Sequence, residues 1–364
     1  MTVPLCPYFG KCGGCSSQHI DYNLQLENKK KVVARLYNEV QVFSGNEYHY
    51  RNRMDFIFHK NGLGFREKNR WYKVVDIESC VISNERLNIF LKEIRSYFKD
   101  VDYFDLNRHT GTFKFAVIRT PRNDSSISFV LNDKSTRLAE AINTIRVFSE
   151  RSTASNILVT YIAPESEASV SENYFVVKGR DFLEEKFLGK KFYYPVQGFF
   201  QNNSEMAEKM LSYVHNVLKG YSTKESYLLD LYGGVGVFGI VNADLFKQVT
   251  TIESFKPSVD AAIKNIRKQS NIRVILLDAS QLRKIEFGKP LYIITDPPRT
   301  GMDQKTIHSI NELRPEVLVY ISCNPQQLAK DLAKIKNYKI KSLAMFDMFP
   351  QTPHIESVVE LVAV

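Results

Sequence analysis

The chain has 364 residues, of which 44% are hydrophobic and 24% are charged, a balance that is typical of folded globular proteins and argues against disorder. This length allows two or three domains. The formal net charge of +9 favours a polyanionic partner, although an exposed surface rich in lysine would give the same total. The sequence lacks an uninterrupted apolar run of about 18 residues and a signal-peptide pattern at its start, so we expect a cytoplasmic protein that does not bind a membrane.

Four of the five cysteines form a spaced set towards the amino terminus. The spacing is C-x5-C-x2-C followed by one distant cysteine, and the set comprises Cys6, Cys12, Cys15 and Cys80. In a reducing compartment such a set indicates metal ligands rather than disulfides. Four thiolates are the number that a zinc ion or a [4Fe-4S] cluster takes from a protein, and the spacing alone leaves both metals open.

Residues 1–190 have the pattern of an α+β domain. An amphipathic helix is predicted over 22–38, after a short cysteine-rich loop region. From about residue 47 onwards, short strands alternate with turn signals such as Asn61-Gly62, and a second helix is predicted over 86–97. We expect this domain to end near residue 190 without a flexible linker.

The segment 51–73 combines basic and aromatic side chains. Its basic residues outnumber its two acidic residues, Asp55 and Glu67, and they are Arg51, Arg53, Lys60, Arg66, Lys68, Arg70 and Lys73. Its aromatic residues are Phe56, Phe58, Phe65, Trp71 and Tyr72. Basic groups can neutralise phosphates while aromatic faces stack unpaired bases, so the composition suits single-stranded or looped RNA. An antiparallel hairpin with core aromatics and exposed charges would have the same composition.

Residues 191–364 have the alternating pattern of strands and helices that is typical of a parallel sheet covered by helices on both faces. Short apolar strands are predicted over 227–231, 248–252, 273–277, 291–295, 317–321, 342–346 and 358–363. Helices are predicted between them over 203–218, 257–268 and 326–335. Ligands of such sheets bind at the carboxyl ends of the strands, so residues that follow the strands are the candidates for function.

The first three strands of this half end in a glycine-rich turn or a carboxylate. Tyr232-Gly233-Gly234 follows the first strand, Glu253 ends the second and Asp278 follows the third. Glycine lets a ligand approach the backbone closely, and a carboxylate can accept hydrogen bonds from ribose hydroxyls. The sequence lacks the lysine-bearing phosphate loop of ATP and GTP sites, so this combination predicts an S-adenosylmethionine pocket. Each acid alone could instead cap a helix.

The fourth, fifth and last strands carry the candidates for the reaction. Asp296-Pro297-Pro298-Arg299-Thr300-Gly301 follows the fourth strand, and Ser322-Cys323-Asn324-Pro325 follows the fifth. Pro350-Gln351-Thr352-Pro353-His354-Ile355-Glu356 leads into the last strand. All three segments are expected at one rim of the sheet, where Cys323 would present a thiol to a ligand.

The motifs D-P-P-R-x-G, S-C-N-P and P-x-T-x-H-x-E together resemble those of the RNA 5-methyluridine (uracil-C5) methyltransferases. The resemblance covers essentially the whole chain, including the segment from Gly62 to Cys80 that delivers the last cysteine of the set. The chain is most similar to the iron-sulfur-containing branch that has no amino-terminal TRAM-type barrel. The fold implied is a Rossmann-like S-adenosylmethionine methyltransferase domain over 191–364, preceded by an RNA-binding α+β domain over 1–190 with a cysteine-ligated cluster.

The resemblance also implies roles for individual residues. Cys323 would add to uracil C6, and Glu356 would remove the C5 proton after methyl transfer. Asp296 would contact the uracil edge or the cofactor. Further cofactor contacts would come from Gln201, Tyr232, Gly234, Glu253 and Asp278. The four amino-terminal cysteines would hold a [4Fe-4S] cluster in a structural or RNA-docking role. For His354 a structural role is favoured over one in orienting Glu356.

The function implied is formation of 5-methyluridine in tRNA or 23S ribosomal RNA through a covalent cysteine–C6 adduct. Because the target base must leave its stack, a loop or an opened tertiary pair is the expected substrate. No obligate protein partner is implied. The alternatives are an RNA cytosine-5 methyltransferase, against which Glu356 and D-P-P-R argue, and a non-catalytic iron-sulfur RNA-binding protein, against which the intact Cys323 and Glu356 argue.

Overall fold

The computed structural model describes residues 2–267 and 269–364, and its strands form three sheets. In chain order the strands are β1 (Val40–Phe43), β2 (Arg53–His59), β3 (Gly62–Glu67), β4 (Arg70–Asp76), β5 (Phe113–Arg119), β6 (Ser126–Asn132), β7 (Asn156–Ile162), β8 (Tyr174–Lys178), β9 (Phe182–Phe187), β10 (Lys190–Pro195), β11 (Tyr227–Leu231), β12 (Gln248–Glu253), β13 (Ile272–Leu276), β14 (Leu291–Thr295), β15 (Val317–Ser322), β16 (Tyr338–Phe346) and β17 (Glu356–Ala363). The α-helices are α1 (Tyr22–Val33), α2 (Glu85–Tyr97), α3 (Leu138–Arg151), α4 (Ser204–Lys219), α5 (Val237–Asn242), α6 (Lys256–Ile266), α7 (Gln304–Leu313) and α8 (Pro325–Leu332).

The chain divides into two compact units. The first unit comprises the chain up to Tyr22, Asn46–Glu185 and Pro195–Ser204. The second comprises Asn23–Gly45, Lys186–Tyr194 and Glu205–Val364. The predicted boundary near residue 190 lies between β9 and β10, which form a two-stranded sheet of their own. The second unit therefore includes α1 and β1 as well, although both precede that boundary in the sequence.

The sheet of the first unit has seven strands in the order β4-β3-β2-β5-β6-β7-β8. Neighbouring strands are antiparallel except for β6 and β7, which are parallel and are connected through α3. Phenylalanine rings fill the space between the sheet and the helices, for example Phe98 and Phe129 at a centroid distance of 4.8 Å. The hairpin interpretation of 51–73 is confirmed, and Phe56 and Phe58 are buried core residues.

The sheet of the second unit has eight strands in the order β1-β16-β17-β15-β14-β11-β12-β13. The strands β11 to β15 are parallel, as the continuous apolar runs predicted, because residues buried on both faces of a sheet need not alternate with polar ones. The last strand, β17, runs antiparallel between β15 and β16. The edge strand β1, which pairs with β16, was not predicted.

The helices α4, α6 and α8 lie close to the predicted ranges, whereas α5 and α7 were not predicted and α1 ends at Val33 instead of at the predicted residue 38. The helix predicted over 257–268 is α6, and its predicted last residue, Lys268, lies outside the described residues. Of the helices within the described residues, none is both long and apolar enough to cross a membrane.

The strand order reverses next to β11. The chain passes from β11 to β12 and β13 on one side and then returns to β14 on the other side of β11. A reversal of this kind opens a crevice at the carboxyl ends of the strands, where doubly wound sheets bind their ligands. The glycine-rich turn after β11 and Asp296 after β14 lie at this crevice, and the Asp296 amide donates to the Leu231 carbonyl at 3.3 Å.

Candidate active site

The turn after β11 is tight, and glycine is required within it. The Gly233 amide donates to the Ile252 carbonyl at 3.0 Å, and a Cβ atom at Gly233 would lie 2.3 Å from Cγ2 of Thr251. Gly234 has a φ of +56° and open space where a Cβ would lie. Its amide donates to Oε2 of Glu253 at 3.0 Å. The structure thus brings together two of the residues predicted to line the cofactor pocket.

The carboxylates of Glu253 and Asp278 also stabilise their own turns. Oε1 of Glu253 accepts from the Ser254 and Phe255 amides, both at 2.7 Å, and Asp278 accepts from the Ser280 amide at 2.8 Å. The capping role considered for these acids is therefore present for Asp278, which caps the short 3-10 helix Ala279–Lys284, but not for Glu253, because the N-cap of α6 is Phe255 and has no side-chain capping bond. Oε1 of Glu253 also accepts a long bond from the Ser254 hydroxyl, at 3.4 Å. Each carboxylate oxygen offers about two lone-pair sites, so room for a ligand's hydroxyl groups is left at Oε2 of Glu253 and at Asp278.

Tyr232 and Gln201, two more of the predicted cofactor contacts, occupy different units. Tyr232 adopts a left-handed backbone conformation, with φ +56°, directly after β11. Burial raises the pKa of its phenol to about 12, so the hydroxyl stays protonated. Gln201 lies in the first unit, where its backbone carbonyl accepts a hydrogen bond from Nδ2 of Asn52 at 3.3 Å.

Cys323, Asp296 and Glu356 meet at the rim of the large sheet. Ser322, the last residue of β15, is paired with Ser357 in β17, so Cys323 and Glu356 come directly after and directly before this pair. The hydroxyl of Ser357 donates to the Ser322 carbonyl at 3.1 Å and ties the two strands together. The three side chains are close enough for their charges to interact. The strand-end motifs had predicted that the three segments would meet at this rim.

The electrostatics of this group keep the thiol neutral and favour one shared proton on the two carboxyl groups. Burial, together with the charges of Glu356 and Asp296, raises the pKa of the Cys323 thiol to about 11, while the charge of Arg299 opposes them. Burial raises the pKa of Asp296 to about 7. Glu356 is 6% exposed, and burial together with the charge of Asp296 raises its pKa well above the usual range. Two neighbouring carboxyl groups of this kind hold a proton between them near neutral pH.

A buried carboxylate that sequence reasoning missed fixes the loops around these residues. Asp331 in α8 accepts from the Tyr320 hydroxyl at 2.6 Å and from the Met302 amide at 3.0 Å. It therefore links β15 and the helix after Cys323 to the end of the D-P-P-R-x-G loop. Nδ2 of Asn324 adds a bond to the Arg299 carbonyl at 3.1 Å.

A second group that sequence reasoning missed holds the segment before Glu356. Lys29 in α1 donates to Oδ1 of Asp347 at 2.5 Å and to the Phe349 carbonyl at 3.1 Å, and this ion pair is almost fully buried. Nε2 of Gln25 donates to Oε1 of Gln351 at 3.0 Å. Gln351 is buried and has a φ of +66°, so these bonds hold a backbone conformation that glutamine rarely adopts.

His354, two residues before Glu356, is exposed. Its amide donates to the Thr352 hydroxyl at 3.3 Å, and its ring lies edge-on to Phe349 at a centroid distance of 6.1 Å.

The four amino-terminal cysteines lie in the first unit, and their charges interact. Burial raises the pKa of Cys12 to about 11 and that of Cys15 to about 12, and the charge of Cys80 raises the pKa of Cys6, Cys12 and Cys15. The side chain of Asn88 binds both the amide and the carbonyl of Cys80, at 2.8 and 3.0 Å. Within the described residues, however, no group of three or more Cys, His, Asp or Glu side chains is arranged tightly enough to hold a metal ion.

Comparisons with known proteins show the family of the chain. A family model described as tRNA (uracil-5-)-methyltransferase matches residues 21–364. A tRNA (uracil(54)-C(5))-methyltransferase of Pyrococcus horikoshii is 32% identical over 98% of this chain and 85% of its own length. An uncharacterized RNA methyltransferase of Caldanaerobacter subterraneus subsp. tengcongensis is 34% identical over 97% of this chain and 83% of its own length.

Among solved structures, the tRNA (uracil-54, C5)-methyltransferase of Pyrococcus abyssi in complex with S-adenosyl-L-homocysteine is similar in fold. It superposes with a TM-score of 0.81 at 27% identity, covering 96% of this chain and 86% of that one. The match to the family model over residues 21–364 and the identities above 30% lead to the same conclusion. The chain belongs to the tRNA (uracil-5-)-methyltransferase family and is an RNA uracil-5-methyltransferase.

Proposed function

We propose that the protein transfers a methyl group from S-adenosylmethionine to C5 of a uridine in tRNA through a covalent adduct with Cys323. The observation that carries the proposal is the meeting of a thiol and two carboxyl groups of raised pKa at the ligand-binding rim of a doubly wound sheet. Because relatives at about 32% identity are named for uracil 54 of tRNA, an unmodified tRNA transcript is the first substrate to test.

Cys323 supplies the nucleophile. Uracil C5 alone is too weakly nucleophilic to take a methyl group, but addition of the thiolate to C6 forms a sulfur–carbon bond and makes C5 an enolate carbon. With a pKa of about 11, the resting thiol must first lose its proton. Asp296 is the neighbouring carboxyl group that can accept it, since with a pKa of about 7 it is partly ionised near neutral pH.

Glu356 supplies the base that ends the reaction. After C5 has gained the methyl group, its remaining proton must leave so that the electron pair can expel the thiolate from C6. A carboxylate with a raised pKa takes a proton more readily than an ordinary one, and the charge of Asp296 helps to raise the pKa of Glu356.

The cofactor pocket follows from the residues at the crevice. Tyr232, Gly234, Glu253 and Asp278 would hold S-adenosylmethionine, which supplies the electrophilic methyl group, and Gln201 is proposed as a further contact. The open space at Gly234 and the remaining acceptor sites of the two carboxylates fit this group.

We also propose that Cys6, Cys12, Cys15 and Cys80 hold a [4Fe-4S] cluster with a structural or RNA-docking role. The support is the donor set, since four thiols with mutually interacting charges match the ligand number of such a cluster. Burial raises the pKa of Cys12 and Cys15, which destabilises their free thiolates, and a bound cation would reverse this effect. No step of the methyl transfer needs the cluster.

A covalent-trapping experiment separates the two roles at the rim. Cys323→Ala should bind tRNA yet give neither 5-methyluridine nor an adduct, because it has no nucleophile for C6. Glu356→Gln should accumulate a methylated protein–RNA adduct that survives denaturing electrophoresis, because the C5 proton stays in place. Turnover of Glu356→Gln at the parental rate without an adduct would assign the base to another group.

Metal analysis tests the cluster independently of the methyl transfer. Protein purified without oxygen should be brown and contain about four irons per chain. Cys80→Ser should lose the iron and loosen the amino-terminal region, because metal binding and local folding are coupled. One zinc per chain and no iron would contradict the proposal.

A further inference from the structure

The first unit contains a small cavity, of about 170 Å³, whose lining combines aromatic rings with aliphatic side chains, two cations and two carboxylates. Trp71 lies at its edge and is 60% exposed, while Phe104 and Phe115 are buried in its walls. The volume is well below the roughly 300 Å³ at which pockets for whole small-molecule ligands begin. It fits one planar heterocycle rather than a nucleotide with its sugar and phosphate.

Lys114 builds one wall of this cavity. Its ammonium group donates to the carbonyls of Ala163, Pro164 and Ser166 at 3.1, 2.7 and 2.8 Å, which uses all three of its N–H bonds. It also lies 4.1 Å from the centre of the Phe104 ring. Lys114 therefore fixes the shape of the cavity and has no donor left for a phosphate.

The charges at the cavity disfavour a phosphate as well. Glu165 and Glu167 line it, and Nη2 of Arg66 is engaged by Glu167 at 2.9 Å. The Arg66 guanidinium also lies 6.0 Å from the centre of the Trp71 ring, which helps to orient the ring. The two carboxylates offset the charges of Arg66 and Lys114, so the cavity has no excess positive charge that would attract a phosphate, and carboxylate oxygens can accept hydrogen bonds from the amino and imino groups of a neutral base.

We infer that this cavity, with Trp71 as its stacking platform, binds one unpaired base of the RNA other than the uridine that is methylated. The inference rests on the RNA substrate proposed above and adds a second point of recognition in the first unit. A tryptophan with a purely structural role would be largely buried, whereas Trp71 offers its ring to solvent next to a cavity of the size of a base. Because an aromatic ring can stack on any base, the nucleotide that enters the cavity is determined by its position in the RNA loop and not by its identity.

The test uses the fact that Trp71 is the only tryptophan of the chain. Cys323→Ala protein, which forms no adduct, is titrated with a T-arm hairpin and with a series in which each loop nucleotide in turn is abasic. We expect the hairpin to quench tryptophan fluorescence, and one abasic position other than the target uridine to abolish the quenching. At that position the affinity should fall about 5- to 100-fold, as expected for one lost stack.

Matched variants identify the ring. Trp71→Ala should bind the intact hairpin about 5- to 100-fold more weakly than the parent. Removing the base at the critical position should not lower the affinity of this variant any further. Trp71→Phe should retain most of the parental affinity. Tyr72→Ala, whose ring is 47% exposed but does not line the cavity, should show no coupling to that abasic position. These affinities are measured with labelled RNA, so they do not depend on the tryptophan.

Two outcomes contradict the inference in different ways. If the parental protein binds and methylates the RNA, but no abasic position changes the quenching, the cavity does not hold a base and the proposed function stands. If the parental protein binds no tRNA or hairpin, the proposed function fails and this inference fails with it.

Discussion

At the scale of single residues, the site combines a nucleophile with groups that suppress its ionisation. Cys323 faces two carboxyl groups, and its pKa of about 11 leaves little thiolate at neutral pH. Arg299 is the opposing charge and lowers this pKa. The protein thus holds an unreactive thiol until a proton can pass to a neighbouring carboxylate, which protects Cys323 from unwanted reactions with other electrophiles.

The charge of Asp296 can be tested through the reactivity of Cys323. Asp296→Asn removes a negative neighbour, so the pKa of the thiol should fall and the midpoint of alkylation against pH should move down by at least roughly half a unit. Alkylation of the peptide that contains Cys323 is followed by mass spectrometry. Asp260→Asn, on the surface of α6, serves as the control and should not move the midpoint. An unchanged midpoint in Asp296→Asn would show that the two groups do not interact.

Asp230 gives a second prediction at this scale, on stability. Its carboxyl group is 1% exposed and accepts from the Gly239 amide at 2.9 Å, and burial raises its pKa from 3.8 to about 7. The folded state binds this proton more tightly than the unfolded state does. The contribution of the protonated Asp230 to the free energy of unfolding is therefore complete below about pH 4 and is lost as the pH rises through 7. Ionised Asp230 therefore destabilises the fold at pH 8, by up to about 4 kcal/mol.

Asp230→Asn should remove this loss, because an amide oxygen can still accept from Gly239 and carries no charge. The free energy of unfolding, measured by circular dichroism in urea, should exceed that of the parent by a margin that grows between pH 5 and 8. Fluorescence of Trp71 reports on the first unit and provides the internal control. A margin that is constant with pH would show that Asp230 is not ionised in this range.

At the scale of elements, local patterns predicted the parallel strands well and the long-range contacts poorly. Continuous apolar runs and the motifs behind them placed Asp296 and Cys323 within one residue of the ends of β14 and β15. Glu356 was expected two residues before the last strand but is its first residue, because it pairs with Phe346 of the longer β16. A pairing register depends on both partners, and only one of them is visible in a local pattern.

The position of α1 and β1 shows the same limit more clearly. Both lie in the predicted amino-terminal domain by sequence but belong to the second unit. From the sequence alone, Lys29 is expected to be one more surface lysine of an amphipathic helix. The structure shows that it is buried and paired with Asp347. The pattern of a helix shows which face is apolar, but it does not show which distant carboxylate will meet a particular lysine.

The buried pair makes a prediction for this element. Lys29→Met removes the cation that neutralises Asp347, so the second unit should lose about 3–5 kcal/mol of stability, the usual effect of breaking one side of a buried pair. Combining it with Asp347→Asn should recover part of this loss, because no charge is then left at the site. Both are measured by urea unfolding, and Lys256→Met, from an exposed pair in α6, is the control with a small effect. Equal stabilities of single and double variants would contradict the charge argument.

At the scale of the whole molecule, only some of the basic side chains behind the net charge of +9 are exposed for binding a polyanion. Several arginines of the first sheet are engaged internally, such as Arg53 with Asp55 and Arg66 with Glu167. Lys68 and Lys73, which flank the exposed Trp71 and Tyr72, are themselves exposed. The basic and aromatic composition of 51–73 therefore has two uses, since the phenylalanines build the core while the β3–β4 turn and the start of β4 present charges and rings to solvent.

The last prediction concerns these two lysines. Lys68→Glu combined with Lys73→Glu should weaken RNA binding and make the plot of log affinity against log salt shallower by roughly 1 to 2, because each lysine that neutralises a phosphate releases condensed counterions. The control combines Lys92→Glu with Lys99→Glu, which changes the net charge by the same amount. Lys92 lies in α2, Lys99 follows this helix, and both are exposed, so the control should alter the affinity for RNA far less. Affinity for S-adenosylmethionine, measured by calorimetry, should be the same in both variants, because its proposed contacts lie mainly in the second unit. Equal salt slopes in the two variants would mean that net charge alone attracts the RNA and that the surface around Trp71 does not contact its phosphates.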